Sequence, residues 1–288
     1  MSEKPDHLLC FGFGFSARAL ARALPRDRWT ITGTSRSAEG CEKIRQLGFD
    51  AAQFNDDTPL DTSLLDTVTH VVVSAPPGKT GDPVLKRHGR HLGKRAAHIK
   101  WMAYLSTTGV YGDRQGGWVD ETSPLEPSTS RGHARLAAES GWLDLWRDAG
   151  LAVHLFRLAG IYGPGRNQLQ SLKSGKARRI VKQGQVFSRI HVADIAGILR
   201  ASIDRPSPGS AYNVCDDEAA PPQDVVAYAA DLLGIQPPPE VAFEDAELSD
   251  MAKSFYAESK RVSNKRVKTE LDYSFMYPTY RQGLKALL

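Results

Sequence analysis

Cysteine is scarce in this chain: Cys10, Cys41 and Cys215 are the only three in 288 residues, and they are far apart. That excludes a disulfide framework and offers no zinc-knuckle spacing. Long apolar runs are missing as well; none approaches the ~20 residues a membrane-spanning helix needs. Residues 1–7 (MSEKPDH) are polar, and glycines soon interrupt the apolar segment that follows, so no secretory signal is read there. The expected compartment is the reducing cytoplasm. Charge of one sign is not concentrated either: 37 Lys and Arg stand against 33 Asp and Glu, a net +4. That falls short of the basic excess of a dedicated nucleic-acid binder. His88 and His91 lack companion carboxylates or cysteines, so no metal site is expected. Repeats and low-complexity segments are absent. What remains is an ordinary globular composition, 41% hydrophobic and 24% charged, long enough for one large or two modest domains.

The most informative stretch is LLCFGFGFSARALARAL, residues 8–24. Leu8 to Phe11 have the composition of a buried strand. Gly12, Gly14 and Ala17 then fall at the G-x-G-x-x-G/A spacing of a dinucleotide-binding turn, with Phe13, Phe15 and Ser16 between them, and helix formers follow. Gly12 permits a tight turn, Gly14 lets the backbone approach a pyrophosphate, and Ala17 allows close helix–strand packing. The phosphate belongs at the helix N-terminus, where free N–H groups and the dipole favour an anion. Trp29 to Gly33 reads as a second strand. Where an NAD enzyme usually carries Asp or Glu for the ribose 2′-OH, this chain has Thr34, Ser35 and Arg36. Ser35 and Arg36 suit a 2′-phosphate, so NADP is expected over NAD.

Strand-like and helix-like segments alternate onward. Residues 49–54, 70–75 (HVVVSA), 101–106 (WMAYLS) and 152–158 read as further strands, and 38–47, 83–99 and 128–149 as helices. Alternation of this kind predicts an α/β fold, a Rossmann-type doubly wound parallel sheet. Ser74, Ala75 and Pro76 end the fourth strand and are expected to wall the cofactor. Residues 86–100 hold six Lys or Arg and no acid. Leu85, Leu92, Ala96 and Ile99 recur there at helical spacing, which reads as an amphipathic helix with a solvated basic face. Beyond Gly160 the rhythm breaks. A Rossmann domain over 1–160 and a smaller substrate region over 161–288 are expected, with about 189–215 returning to the sheet.

Five segments in register resemble the extended short-chain dehydrogenases of the epimerase/dehydratase branch. They are YLSTTGVYGD (104–113), LEPSTSRGHARLAAE (125–139), RLAGIYGPGR (157–166), RIHVADIA (189–196) and YNVCDDE (212–218). The resemblance implies an NAD(P)-dependent oxidoreductase or epimerase, with Thr107 at the catalytic hydroxyl position and Ser106 beside it. It also marks a departure: the family's Tyr-x-x-x-Lys pair maps onto Arg131 and Arg135, which makes this an atypical member. A guanidinium keeps its proton at working pH and cannot replace the phenol in acid–base work. Arg135 remains suited to the cofactor ribose. Tyr111 is the first alternative donor, Tyr162 and His191 are others, and the absence of any side-chain acid stays open. In the family's layout Arg166, Arg179, Arg189 and His191 belong to the substrate site, implying an anionic small molecule such as a nucleotide sugar. Hydride transfer by a monomer or homodimer is the leading expectation; a catalytically silent NADP(H) sensor is the alternative.

Overall fold

The structure, a computed structural model, describes residues 5–55 and 57–288; the first four residues of the polar opening lie outside the described residues. Seven strands form one sheet: β1 Asp6–Phe11, β2 Trp29–Ser35, β3 Asp50–Gln53, β4 His70–Val73, β5 Trp101–Thr107, β6 Val153–Leu158 and β7 Ala211–Val214. Their order is β7-β6-β5-β4-β1-β2-β3. β1 runs parallel to β2 and to β4, β2 to β3, and β4 to β5. Leu8 to Phe11 and Val71 to Val73 are fully buried, as expected of strands covered on both faces, which read as apolar runs rather than alternations. From β1 the chain moves outward to β2 and β3, then returns to β4 on the other side. The switch point between β1 and β4 opens a crevice beyond their C-terminal ends, where open α/β sheets take ligands.

Helices α1 Phe15–Ala23, α2 Ala38–Gln46, α3 Pro83–Lys94, α4 Ser130–Ala149 and α5 Val192–Asp204 connect these strands. α3 starts where it does because Asp82 accepts from the amides of Val84 and Leu85, both at 2.9 Å, with Pro83 in the first turn. The sheet's core packs Leu9, Phe11, Val73, Met102 and Tyr104 with Trp142 of α4. α4 is also tied to β6 by a buried ion pair, Arg157 Nη2 to Glu139 Oε2 at 2.9 Å, with side-chain exposures of 6% and 2%.

The chain divides into two compact units, one of residues 1–107, 133–157 and 195–212 and the other of 108–132, 158–194 and 213–288. The second unit holds no long strand. Gly160–Tyr162 pairs with Arg189–His191, Arg179–Val181 with Glu240–Ala242, and Trp118–Val119 with Arg261–Val262. Besides a short helix at Gln168–Lys173, its helices include α6 Pro222–Leu232, α7 Asp250–Tyr256, α8 Lys265–Glu270 and α9 Tyr280–Lys285, and its core gathers Tyr162, Leu169, Val225, Ala229, Tyr280 and Leu284. Carboxylates pin the C-terminal stretch. Asp194 accepts from Tyr273 Oη at 2.8 Å and from the amides of Met276 and Tyr277 at 2.7 and 3.1 Å. Asp217 accepts from Asn264 Nδ2 and Lys268 Nζ at 2.7 and 2.6 Å, and Glu218 pairs with Arg281 at 3.1 Å. Among the described residues no helix is long and apolar enough to cross a membrane, and no His/Cys/Asp/Glu group could hold a metal ion.

Candidate functional site

In the first unit the turn after β1 is built to leave space. Gly12 has φ +83°, where a side chain is strained, and a Cβ there would meet Ser74 Oγ at 2.9 Å. Two hydroxyls fix this turn: Thr34 Oγ1 accepts from the Gly12 amide at 2.8 Å, and Ser74 Oγ donates to the Gly12 carbonyl at 2.7 Å. Ser74 thereby ties the end of β4 to the turn at the switch point. The role of Thr34 was missed from sequence; its signal was a hydroxyl at the end of β2, facing the turn after β1. Phe13 folds its ring against Gly33 and meets Phe49 edge-on at 5.1 Å. Gly14 behaves differently from Gly12. Its φ of −81° suits any residue, and a Cβ built on it meets nothing within 4 Å. It is the N-cap of α1, with no side-chain cap and no acid in the first turn. An uncapped helix end beside open backbone fits a diphosphate, because the unpaired amides and dipole await an anion. Ser16 and Ala17 are buried in the first turn of α1, as the G-x-G-x-x-A reading requires.

Ser35 lies at the end of β2 with its hydroxyl against Gly40 of α2, accepting from the Ser37 amide at 3.4 Å. Arg36 is exposed, and its guanidinium makes no ion pair or hydrogen bond among the described residues. Ala75 and the exposed Pro76 follow Ser74 beyond β4. At the end of β5, Ser106 is buried with an Oγ that has no partner, and Thr107 is half-buried. Arg135 sits against this strand, donating from Nη1 to the Leu105 carbonyl at 2.6 Å and to Tyr104 Oη at 3.3 Å. Burial pushes the Tyr104 phenol above its ordinary range, so it stays protonated.

The second unit carries the other sequence-derived residues, and several are placed otherwise than expected. Arg131, in the first turn of α4, is exposed, donates to Ser254 Oγ at 2.9 Å and stands over the Phe255 ring at 5.5 Å. Tyr111 is fully buried, and its hydroxyl donates to Asn213 Oδ1 at 2.7 Å. A phenol so engaged is a structural anchor rather than a ready proton donor. Arg189, read from sequence as a substrate contact, is half-buried and donates to the carbonyls of Phe187 and Ala220 at 2.9 and 3.0 Å. His191 is 3% exposed, and burial holds its pKa down to about 4. Its Nδ1 accepts from the Ala193 amide at 3.2 Å, which leaves the proton on Nε2. Tyr162 is buried as well, with burial pushing its phenol pKa upward. Arg179 pairs with Glu240 at 3.0 Å, whereas Arg166 is exposed. These side chains no longer form an open cationic set; Arg131 and Arg166 are its exposed members.

The architecture and the glycine turn define a class. Residues 91–215 match the NAD dependent epimerase/dehydratase family profile, and the chain belongs to that family. Among its relatives, protein YeeZ of Escherichia coli K12 is 30% identical over 278 residues, covering 93% of this chain and 94% of YeeZ. A structure described as a functionally unknown conserved protein from Silicibacter pomeroyi DSS is 52% identical with a TM-score of 0.90, over 98% of each chain. The dTDP-glucose 4,6-dehydratase of Bacillus anthracis, solved in complex with NAD, shares the fold at TM-score 0.77 and 18% identity, over 99% of this chain and 95% of that one.

Proposed function

We propose that this chain binds NADP(H) through residues 12–17, 35–36 and 74–76 and uses it on an anionic small molecule, by hydride transfer to or from a carbonyl or alcohol carbon. One observation carries the reading. Gly14 is a glycine that the protein's own packing does not demand, facing open space beside an uncapped helix end at the switch point. A diphosphate accounts for it. Arg36, with no carboxylate beside it and no partner of its own, supports NADP over NAD. When bound, the dinucleotide supplies the hydride donor or acceptor. The chain's residues bind and orient: in the first unit Thr107 and Ser106 direct the reacting oxygen and Arg135 supplies fixed positive charge beside β5; the anionic class of the substrate follows from the cations of the second unit, of which Arg131 and Arg166 are exposed. The dehydratase named above acts on a nucleotide sugar, which lends the substrate class. A cytoplasmic monomer or homodimer, with no nucleic-acid partner, is the setting this reading assumes.

A second reading, an NADP(H)-binding sensor without turnover, is favoured by one observation: the Tyr111 hydroxyl is committed to Asn213. No arginine of the pair can take its place as an acid.

Gly14→Val tests the site directly. A Cβ there meets no protein atom within 4 Å, so the variant should keep its thermal stability yet lose NADPH and NADH binding; unchanged binding ends the proposal. Arg36→Ala should reduce the preference for NADPH by about tenfold or more, as charge-assisted bonds are worth about 1.5–3 kcal/mol, and equal affinity in the parent protein refutes the NADP assignment. NADPH oxidation across a panel of nucleotide sugars separates enzyme from sensor. Reductase activity gained by Arg131→Tyr with Arg135→Lys marks a site still built for chemistry.

A further inference from the structure

The sheet of the first unit has two ends, and the glycine turn occupies only its C-terminal one. At the N-terminal end, Asp6 of β1, Trp29 of β2, His70 of β4 and Lys100 just before β5 border a cavity of about 380 Å³, completed by the loop after α1 and the end of α5. Strands advance about 3.3 Å per residue, so the six residues of β1 hold the two places apart. The volume falls in the range small-ligand sites use, roughly 300–1,000 Å³.

Its walls are of two kinds. One is apolar and aromatic: the buried Leu24, the half-buried Ile203 and the indole of Trp29, which meets the His70 ring at 4.6 Å. His70 is 3% exposed, and burial keeps it neutral with a pKa of about 4. Its Nδ1 bonds Thr69 Oγ1 at 2.9 Å, and Nε2 has no protein partner among the described residues. The other wall is charged. Arg28, Lys100 and Arg200 line it against the carboxylates of Asp6 and Asp204. Lys100 is spent on Asp6 at 2.6 Å, but the guanidiniums of Arg28 and Arg200 have no ion pair or hydrogen bond among the described residues. A cavity of this volume lined by an indole, a neutral imidazole and two guanidiniums without partners suits one kind of guest.

We propose that this cavity is a second binding site, for a flat aromatic ring bearing one carboxylate or phosphate. The ring packs against Trp29, His70 gives it one hydrogen bond, and the forks of Arg28 and Arg200 take the oxyanion, a pairing suited to guanidinium geometry. The site goes beyond the cofactor reading and needs nothing from it.

The test uses the full chain with NADPH added in excess and follows the Trp29 indole N–H resonance, assigned by its loss in Trp29→Phe. Phenyl phosphate and benzoate are titrated as probes; benzamide supplies the ring without charge and inorganic phosphate the charge without a ring. A saturable shift with either ring anion, weakened about tenfold or more in Arg28→Ala with Arg200→Ala, supports the site. Both arginines are exposed, so that variant keeps its fold. Stronger binding of phenyl phosphate names a phosphate guest, and stronger binding of benzoate a carboxylate. No saturation with either anion, equal binding of benzamide, or unchanged affinity in the double variant overturns the proposal. Failure of NADPH to bind refutes the cofactor reading and leaves this titration readable.

Discussion

In the first unit the backbone does most of its own bonding. β1 alone pairs with β2 at five positions and with β4 at four, and its side chains are left free to pack. In the second unit the strands are two or three residues long, and side chains reach for distant carbonyls instead. Gln185 Nε2 donates to the Glu258 carbonyl at 2.6 Å, Ser259 Oγ to Gly184 at 3.0 Å and Asn264 Nδ2 to Cys215 at 2.9 Å. One unit is held by repetition and the other by individual long-range bonds, so damage should spread differently in each.

The sharpest way to break this contrast is to place a polar failure inside the apolar unit. Glu139→Ala leaves Arg157 buried without its carboxylate, and should cost about 3–5 kcal/mol in urea unfolding. A loss below about 1 kcal/mol would show that water reaches the guanidinium and that this core is less dry than its burial implies. The counterpart in the second unit is Asp194→Ala, which strips an acceptor from one hydroxyl and two amides. About 2–3 kcal/mol is expected from donors left unsatisfied, read by the same denaturation. A neutral result would mean that those donors find other acceptors.

A smaller effect sharpens the comparison through pH. Burial holds His70, His154 and His191 down to about 4 from an ordinary 6.5. The unfolded chain therefore binds these protons more readily, and stability rises as pH climbs from about 4 to 6.5. Asp216, in the second unit, acts in the opposite sense. Burial pushes it up to about 8 from 3.8, with Arg189 pulling it down and Glu218 and Asp217 pushing it up. Its folded form holds the proton more tightly, so its contribution is full below 3.8 and drains away as pH rises through about 8. Well above pH 6.5 the imidazoles are neutral in both states, and Asp216 alone of these four still changes. Melting temperature should decline as pH rises through about 8, and Asp216→Asn should flatten that decline. An equal slope in the variant would remove Asp216 as its cause.

The same contrast decides what could be read from the chain before its structure. Apolar runs such as HVVVSA and the glycine spacing of residues 12–17 are local, and the strands beginning at Trp29, His70 and Trp101 start where those runs start. The two six-residue helices α8 and α9 left no seam, because so few residues give little periodicity to detect. Site residues divided the same way. The turn that leaves space at Gly14 is a matter of neighbours in sequence. The fate of Tyr111 depends on Asn213, 102 positions away, and that of Arg189 on a carbonyl at Ala220. Charge and aromaticity at those positions read as chemistry, while the bonds that occupy them are invisible without the fold. A buried pair such as Glu139 and Arg157 is equally silent, since each residue alone looks like surface.

The interleaving of the two units carries a consequence for the gene. The chain passes from one unit to the other after residues 107, 132, 157, 194 and 212, and the last four of those passages fall inside α4, β6, α5 and β7. No stop codon releases either unit whole. A reading frame closed at 107 lacks β6 and β7, and one closed at 160 still lacks β7 and all of α5. Grafting the glycine-turn unit onto another protein would therefore take three fragments spliced at once, with joints cut through helices and strands rather than through linkers. Recombination at single points preserves neither half, so the two are inherited together or not at all.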